Sequence, residues 1–352
     1  MTDRYAAADL IAFAAAMLAA AGLDADKATT TAEILVEGDL MGHTTHGLAL
    51  LGQNLDEAEA GRMLGTGEPE IVAATSAIET WDGRRLPGPW LVRRAADRAS
   101  ANAAEIGLAG VVIRKSCHIG CLAAYLKRVT DRGQIMLLFS SDPSTASVAP
   151  IGGTKRIYSP NPMAAGWPTP DGPVLLDVST SITTNAMTAR LRGEGRRFDH
   201  PWLLDSQGAA TRDPNSFFAD PPGSILPLGG VEYGHKGYAL GIMLEALTSA
   251  LAGHGRADAE TRWGANVLVL VIDPAKTGGT EAFLRETGWM ADAIHDNPPV
   301  PGGARVRLPG ERALALRETQ LATGLALHPA ILPSLAPRAT ALGVALPVAR
   351  GD

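Results

Sequence analysis

Gly38-Asp39-Leu40-Met41-Gly42-His43-Thr44-Thr45-His46-Gly47 follows an apolar, helix-periodic segment and sets a hydroxyl beside an imidazole between two glycines. Histidine gives or takes a proton near neutral pH because its unperturbed pKa is about 6.5. A neighbouring hydroxyl orients the ring by hydrogen bonding, and glycine lets a ligand approach the backbone. Taken alone, the stretch reads first as a helix end carrying a solvated histidine. The flanking chain has to decide.

Upstream, Leu10, Phe13, Ala14, Met17, Leu18 and Ala21 mark one face of a helix over 6–21, which Gly22 stops. Asp24 is a candidate N-cap for a second helix carrying Ala28, Ala32, Leu35, Val36 and Leu40 on one side. Downstream, 48–61 is again amphipathic, through Leu51, Leu55 and Ala58. The first 65 or so residues therefore read as all-helical.

Character then changes. Strands are predicted at 70–75 and 76–81, with Asp82-Gly83 as a hairpin-type turn, and Pro89 opens a helix over 90–104. A buried strand at 108–113, a polar loop at 114–120, a helix ending at Asp131 and a strand at 135–139 follow. Residues 140–173 read as one long ordered loop, and 174–178 as a strand. Residues 193–235 are turn-rich, with a hairpin tip at Asp205-Ser206-Gln207-Gly208; a helix then follows Gly234-His235-Lys236-Gly237-Tyr238. A strand at 266–272, a loop at 274–280 and one or two tail helices complete the chain. Strands mix with helices without a βαβ rhythm, so the expected class is α+β, not a doubly wound sheet.

The 352 residues are 46% hydrophobic and 19% charged, enough to bury a large core. A net charge of −6 without any basic block argues against nucleic acid as a partner. No run of 18 or more uncharged apolar residues occurs and the N-terminus does not read as a signal peptide, so no membrane span and a cytoplasmic compartment are expected. Cys117 and Cys121 flank His118, but no second Cys/His cluster completes a structural zinc site. Reduced thiols are the reading, and no metal is expected.

A nicotinamide enzyme normally shows Gly-x-Gly-x-x-Gly between a strand and a helix. That fingerprint is absent: Gly193-Glu194-Gly195 is followed by Phe198 at the third position and follows no strand. A Walker-type phosphate loop and a Gly-x-Ser-x-Gly elbow are absent too. What remains is dispersed. His118 lies in a loop between a strand and a helix, and His235-Lys236-Gly237 at a predicted helix N-terminus, both suited to an anion. Pro309-Gly310-Glu311 is a turn that can face a ligand, and Asp177-Val178-Ser179 ends a strand with an acceptor and a hydroxyl. His43 and His46, three apart, lack a partnering carboxylate motif for a metal.

Order matters more than any one piece. The succession of the 38–47 stretch, Ser116-Cys117-His118-Ile119-Gly120, Ser141-Asp142-Pro143, Ala149-Pro150-Ile151-Gly152-Gly153 and Asn161-Pro162 is distinctive. It continues with Leu176-Asp177-Val178-Ser179-Thr180-Ser181, Gly234-His235-Lys236-Gly237-Tyr238 and Leu308-Pro309-Gly310-Glu311. From about residue 5 to about 340 the chain resembles the malate/L-lactate/L-sulfolactate dehydrogenase family, which includes ureidoglycolate dehydrogenase and piperideine/pyrroline-2-carboxylate reductase.

The resemblance implies a non-Rossmann NAD or NADP site on a mostly antiparallel sheet, and a homodimer acting on a small molecule. It implies a helical domain from 1–68 and 305–352, for substrate and dimerisation, and a cofactor domain over 69–304. It implies His46 as proton donor or acceptor, with Thr45 in place of the family's serine, and His118 either in acid/base work or against the cofactor. Ile119, Gly120, Ser141, Asp177, Val178, Ser179, and the segments His235-Lys236-Gly237 and Pro309-Gly310-Glu311, are expected along the dinucleotide.

Three departures bear on substrate. The position four residues after the histidine, where many members hold the substrate carboxylate with arginine, is Leu50. The family's Gly-Thr-Asn-Pro reads Ser159-Pro160-Asn161-Pro162. Its Arg-Gly-x reads Asn185-Ala186-Met187, where imine-reducing members carry an aspartate in the last place. Arg156 or Lys155 are the candidate replacements for the missing cation. The expected activity is NAD(P)-linked oxidoreduction of a 2-hydroxy/2-oxo acid, with cyclic-imine reduction or a catalytically retired nucleotide-binding homologue as alternatives.

Overall fold

A computed structural model describes residues 3–350. The chain opens with a short strand, β1 (Arg4–Tyr5), then helices α1 (Ala7–Ala20), α2 (Ala25–Leu40) and α3 (Leu51–Glu59). The apolar stripes predicted for these helices are buried: Leu10, Met17, Leu18, Leu35, Leu51 and Leu55 are among the largest fully enclosed side chains. Burial of each stabilises the fold by about 1.5–3 kcal/mol relative to exposure. Asp24 stands at the N-cap of α2 but makes no capping bond; its carboxylate instead pairs with Lys27 at 2.9 Å.

Next come β2 (Glu70–Ala74), β3 (Ile78–Asp82), α4 (Gly88–Ile106), β4 (Leu108–Ser116), α5 (Ala123–Thr130) and β5 (Ile135–Ser141). The β2–β3 connection is the turn at 75–77, so Asp82-Gly83 is not a hairpin turn. β3 leads through α4 into β4 and the two pair in parallel, a crossover connection that a tight turn cannot make. Asp82 instead binds the Arg114 and Lys115 side chains, each at 3.0 Å.

The predicted loop over 140–173 contains a strand, β6 (Pro162–Thr169), hairpinned to β7 (Gly172–Ser179). Pro162 and Pro168 disguise it. Pro162 is the first residue of the strand and Pro168 faces Pro173 beside the turn, positions where a missing N–H costs the ladder little. The rest of the loop is ordered by polar anchors. Arg256 donates to the carbonyls of Asp142 (2.9 Å) and Thr145 (2.7 Å), and Asn161 Nδ2 donates to Gly241 O at 3.0 Å.

Helix α6 (Asn185–Gly193) and the short strands β8 (Leu203–Leu204), β9 (Ala210–Thr211) and β10 (Ser224–Ile225) form a small lobe around Tyr158, Phe198 and Phe217. Then follow α7 (Gly230–Glu245), β11 (Ala265–Ile272), α8 (Thr280–His295), α9 (Glu311–Thr323), β12 (Leu325–Ala326) and α10 (Ile331–Ala341). α8 is a helix that the sequence reading did not assign, and α7 starts several residues before His235.

Seven strands make one sheet in the order β2-β3-β4-β11-β5-β6-β7, antiparallel except for β3–β4. The architecture is α+β on a mostly antiparallel sheet, as expected. One core packs α4 and α5 on this sheet, and a second gathers the N-terminal helices with α10 and the segment around Leu325. No helix among the described residues is long and apolar enough to cross a membrane.

Candidate active site

Strand direction collects the site. Register pairs Ala265 with Ser116, Asn266 with Ser141, and Pro162 with Ser179. The C-terminal ends of β4, β5 and β7 therefore meet the N-terminal ends of β6 and β11 along one edge of the sheet. The loop after α2 arrives at the same edge: a Cβ on Gly38 would lie 3.2 Å from Cys121 Cβ, and one on Gly120 3.6 Å from His46 O. A cavity of about 850 Å³ opens there, within the size of small-molecule and cofactor pockets.

His46 lines this cavity. Its Nδ1 is 2.9 Å from the Thr45 hydroxyl, so Nε2 is left for a ligand. The loop is held from both sides: Arg190 on α6 donates to Thr44 Oγ1 (2.9 Å) and Thr44 O (3.0 Å), and the buried Asp39 carboxylate accepts the Leu48 N–H at 2.7 Å. Burial lowers the His46 pKa, His43 and Arg190 push the same way, and the Asp177 carboxylate opposes them. Desolvation raises the Asp39 carboxyl to about 7, against the Leu48 N–H and Arg190.

His118 sits 6.0 Å from His46, ring centre to ring centre, and stacks on Trp263 at 4.5 Å. Its Nδ1 accepts the Gly120 N–H at 3.1 Å, which fixes the proton on Nε2. Burial, helped by His46, pushes its pKa down to about 3. At neutral pH the ring is therefore an N–H donor and not an acid.

Ile119, Gly120, Ser141, Asp177 and Ser179 join Thr45, His46 and His118 in the wall. Asp177 also accepts the Ala123 N–H at the start of α5, at 2.9 Å. Val178, between two lining residues on a strand, points away and is 40% exposed, as the two-residue side-chain period requires.

Two predicted segments lie outside this wall. His235 and Lys236 are exposed on the second turn of α7, because the helix begins at Gly230; the helix N-terminus expected for them is not there. Gly237 has a packing reason, since a Cβ would come within 2.3 Å of the Leu228 backbone. Pro309-Gly310-Glu311 fastens α9 to β7: Pro309 O accepts the Leu175 N–H at 3.1 Å, and Glu311 accepts the Leu308 N–H at 2.8 Å. Gly310 has φ +86° against the Leu175 backbone, a conformation and a space that suit glycine alone.

The structure adds residues that sequence reading did not single out. Trp263 backs His118, Arg190 braces the His46 loop, and Trp202, Phe217, Phe218 and Ile182 make an apolar end to the cavity. No local pattern announced them. Of the two candidate cations, Arg156 is in the wall and Lys155 is exposed outside it. The Arg156 guanidinium donates to Phe217 O and Gly223 O and lies 3.8 Å from the Phe217 ring centre. No carboxylate pairs with it among the described residues, and burial lowers its pKa. Leu50 lines the cavity where the arginine was expected.

A dinucleotide fits this arrangement. Besides volume, the wall offers the Ser179 and Thr183 hydroxyls and the side-chain oxygen of Asn185, which is buried without a hydrogen-bond partner. A buried orphan acceptor is costly unless a ligand satisfies it.

Comparison with known proteins agrees with this geometry. A family model described as malate/L-lactate dehydrogenase matches residues 5–336. The L-lactate dehydrogenase of Cupriavidus necator is 30% identical over 340 residues, covering 95% of this chain and 96% of that protein. The Delta(1)-pyrroline-2-carboxylate reductase of Ancylobacter novellus is 30% identical over 337 residues, 91% of this chain and 94% of that protein. The structure of malate dehydrogenase from Pyrococcus horikoshii superposes with a TM-score of 0.87 at 27% identity, covering 98% of each chain. With the family model spanning nearly its whole length, the chain belongs to the malate/L-lactate dehydrogenase family of oxidoreductases.

Proposed function

We propose that this chain interconverts a 2-hydroxy acid and its 2-oxo acid with NAD or NADP, using His46 for the proton and Arg156 for the substrate carboxylate. The observation that carries the reading is one cavity holding both groups: an imidazole with one nitrogen tied to Thr45, and a half-buried guanidinium without a carboxylate partner among the described residues. Bound nicotinamide supplies or accepts the hydride. His46 Nε2 takes the hydroxyl proton in oxidation and returns it to the oxyanion in reduction. His118, neutral at working pH, donates its Nε2–H to the ligand and holds its place against Trp263. Cavity walls that position the ligand against His46 supply the remaining rate through proximity.

In this reading Ile119, Gly120, Ser141, Asp177 and Ser179 border the dinucleotide, with 69–304 as the cofactor domain and 1–68 plus 305–352 as the helical one. His235, Lys236 and Gly237 belong to α7, which leaves Val231 (61%), Tyr233 (56%), Ile242 (44%) and Met243 (42%) exposed. A second copy of the chain is the occupant we assign to this helix, since large apolar side chains left exposed along one element are what interfaces cover. Sedimentation equilibrium is expected to return a dimer at micromolar concentration; a monomer there removes the assignment.

The test of the activity is a fluorescence titration with NADH and NADPH, followed by turnover of the tighter one with a panel of 2-oxo acids and cyclic imines. Oxidation on a 2-oxo acid is the expected result. Turnover of a cyclic imine alone would transfer the reading to imine reduction, and failure of both nucleotides to bind would end it.

A further inference from the structure

Beside His46 the fold brings together three side chains that lie far apart in the chain and that oxidoreduction does not by itself require as a set. They are the imidazole of His43, the thiol of Cys121 and the carboxylate of Asp177. One ligand-type atom from each lies within 4.8 Å of the other two, and all three residues line the cavity. Cys121 Sγ already faces Asp177 Oδ2 at 3.6 Å. His43 enters the protein's hydrogen-bond pattern through its backbone, donating to Gly38 O and accepting from His46 N–H, so its ring is left to other partners.

We propose that His43, Cys121 and Asp177 form a three-ligand site for a thiophilic divalent cation, Zn²⁺ in particular, that shuts the active-site cavity reversibly. A nitrogen, a sulfur and an oxygen donor suit zinc, whose bonds to these atoms are about 2.0–2.3 Å. Tetrahedral edges of about 3.3–3.6 Å follow from those lengths, so side-chain rotations that bring the widest pair up to about 1.5 Å closer complete the set. The fourth position faces the cavity and takes water. On binding, Sγ gives its proton to solvent, and the thiolate with the Asp177 carboxylate balances the two positive charges, leaving a neutral cluster in a partly buried place. Occupied, the cation and its water stand in the space a substrate needs beside His46. Its donors come from the loop after α2, the loop before α5 and the end of β7, so only the assembled fold makes the site.

The experiment is Co²⁺ titration of the chelator-treated full-length protein, with Zn²⁺ affinity then read by displacement. One equivalent of Co²⁺ with a near-ultraviolet thiolate charge-transfer band is expected. Cys121→Ser should abolish the band, Cys117→Ser should keep it, and His43→Gln should weaken Zn²⁺ binding at least about tenfold. Melting temperatures identify any variant that fails to fold; if Cys121→Ser does, Cys121→Ala takes its place and His43→Gln stands as a separate arm. No stoichiometric uptake, or a band that survives loss of Cys121, overturns the site. Where turnover is measured, Zn²⁺ should inhibit the native chain at concentrations at least tenfold lower than the Cys121→Ser variant; equal inhibition overturns the blocking role. The binding readout needs no turnover, so its outcome is separate from that of the proposed activity.

Discussion

Replacing His46 by alanine is expected to lower kcat by about 10²–10⁴-fold while the NADH dissociation constant stays within about threefold. The ring has one nitrogen tied to the Thr45 hydroxyl and the other left for substrate in the cavity. His118 is held neutral at about 3, whereas His46 is depressed by burial but supported by the Asp177 carboxylate. The sign of the pH dependence follows. At pH 7 His46 is already the neutral, proton-accepting form, so kcat/KM for oxidation should stay level down to below its ordinary 6.5 and then fall tenfold per unit. In the reducing direction, which needs the imidazolium, kcat/KM should decline through the neutral range. Initial rates across about pH 5–9 in both directions read this, and the pH-dependent limb should vanish in the alanine variant. Loss of nucleotide binding with an unimpaired hydride step would remove His46 from the proton's path.

Arg156→Met is expected to raise KM for the 2-oxo acid by about 10–150-fold with kcat within a few-fold. That range corresponds to about 1.5–3 kcal/mol for a hydrogen bond to a charged group. Phe217 O and Gly223 O fix the guanidinium plane and the Phe217 ring packs against it, so the cation is preorganised in the wall. Methionine keeps an apolar stem and removes the charge. Arg156→Lys should recover only part of the loss, because an ammonium cannot span a carboxylate with two parallel donors. Steady-state kinetics separate the outcomes. An unchanged KM would mean that the substrate anion is held elsewhere, or that the substrate has none.

How much of this was readable without a structure varies with distance along the chain. The stripes of α1, α2 and α3 and the apolar strand β11 were legible because each is a periodic signal contained in its own residues. β6 was not, because its prolines sit at strand ends where only the neighbouring ladder makes them harmless. α7 was read too late because Gly229-Gly230 resembles a turn, while here Gly229 is the left-handed N-cap of the helix. Pro309-Gly310-Glu311 stood out for a packing reason, the close passage of Gly310 over Leu175, and not for contact with the cavity.

The sequence by itself determined the α+β class, the family, and the adjacent pair Thr45–His46, whose hydrogen bond needs only neighbouring residues and a turn to form. Tertiary structure alone decided the rest. It put Arg156 and not Lys155 in the cavity wall, set Trp263 behind His118, and neutralised His118 by burial. It also brought His43, Cys121 and Asp177 within reach of one another. The physical reason is the same in each case. Desolvation and long-range proximity depend on which strand ends share an edge of the sheet, and that registry is a property of the packed chain, not of any one segment.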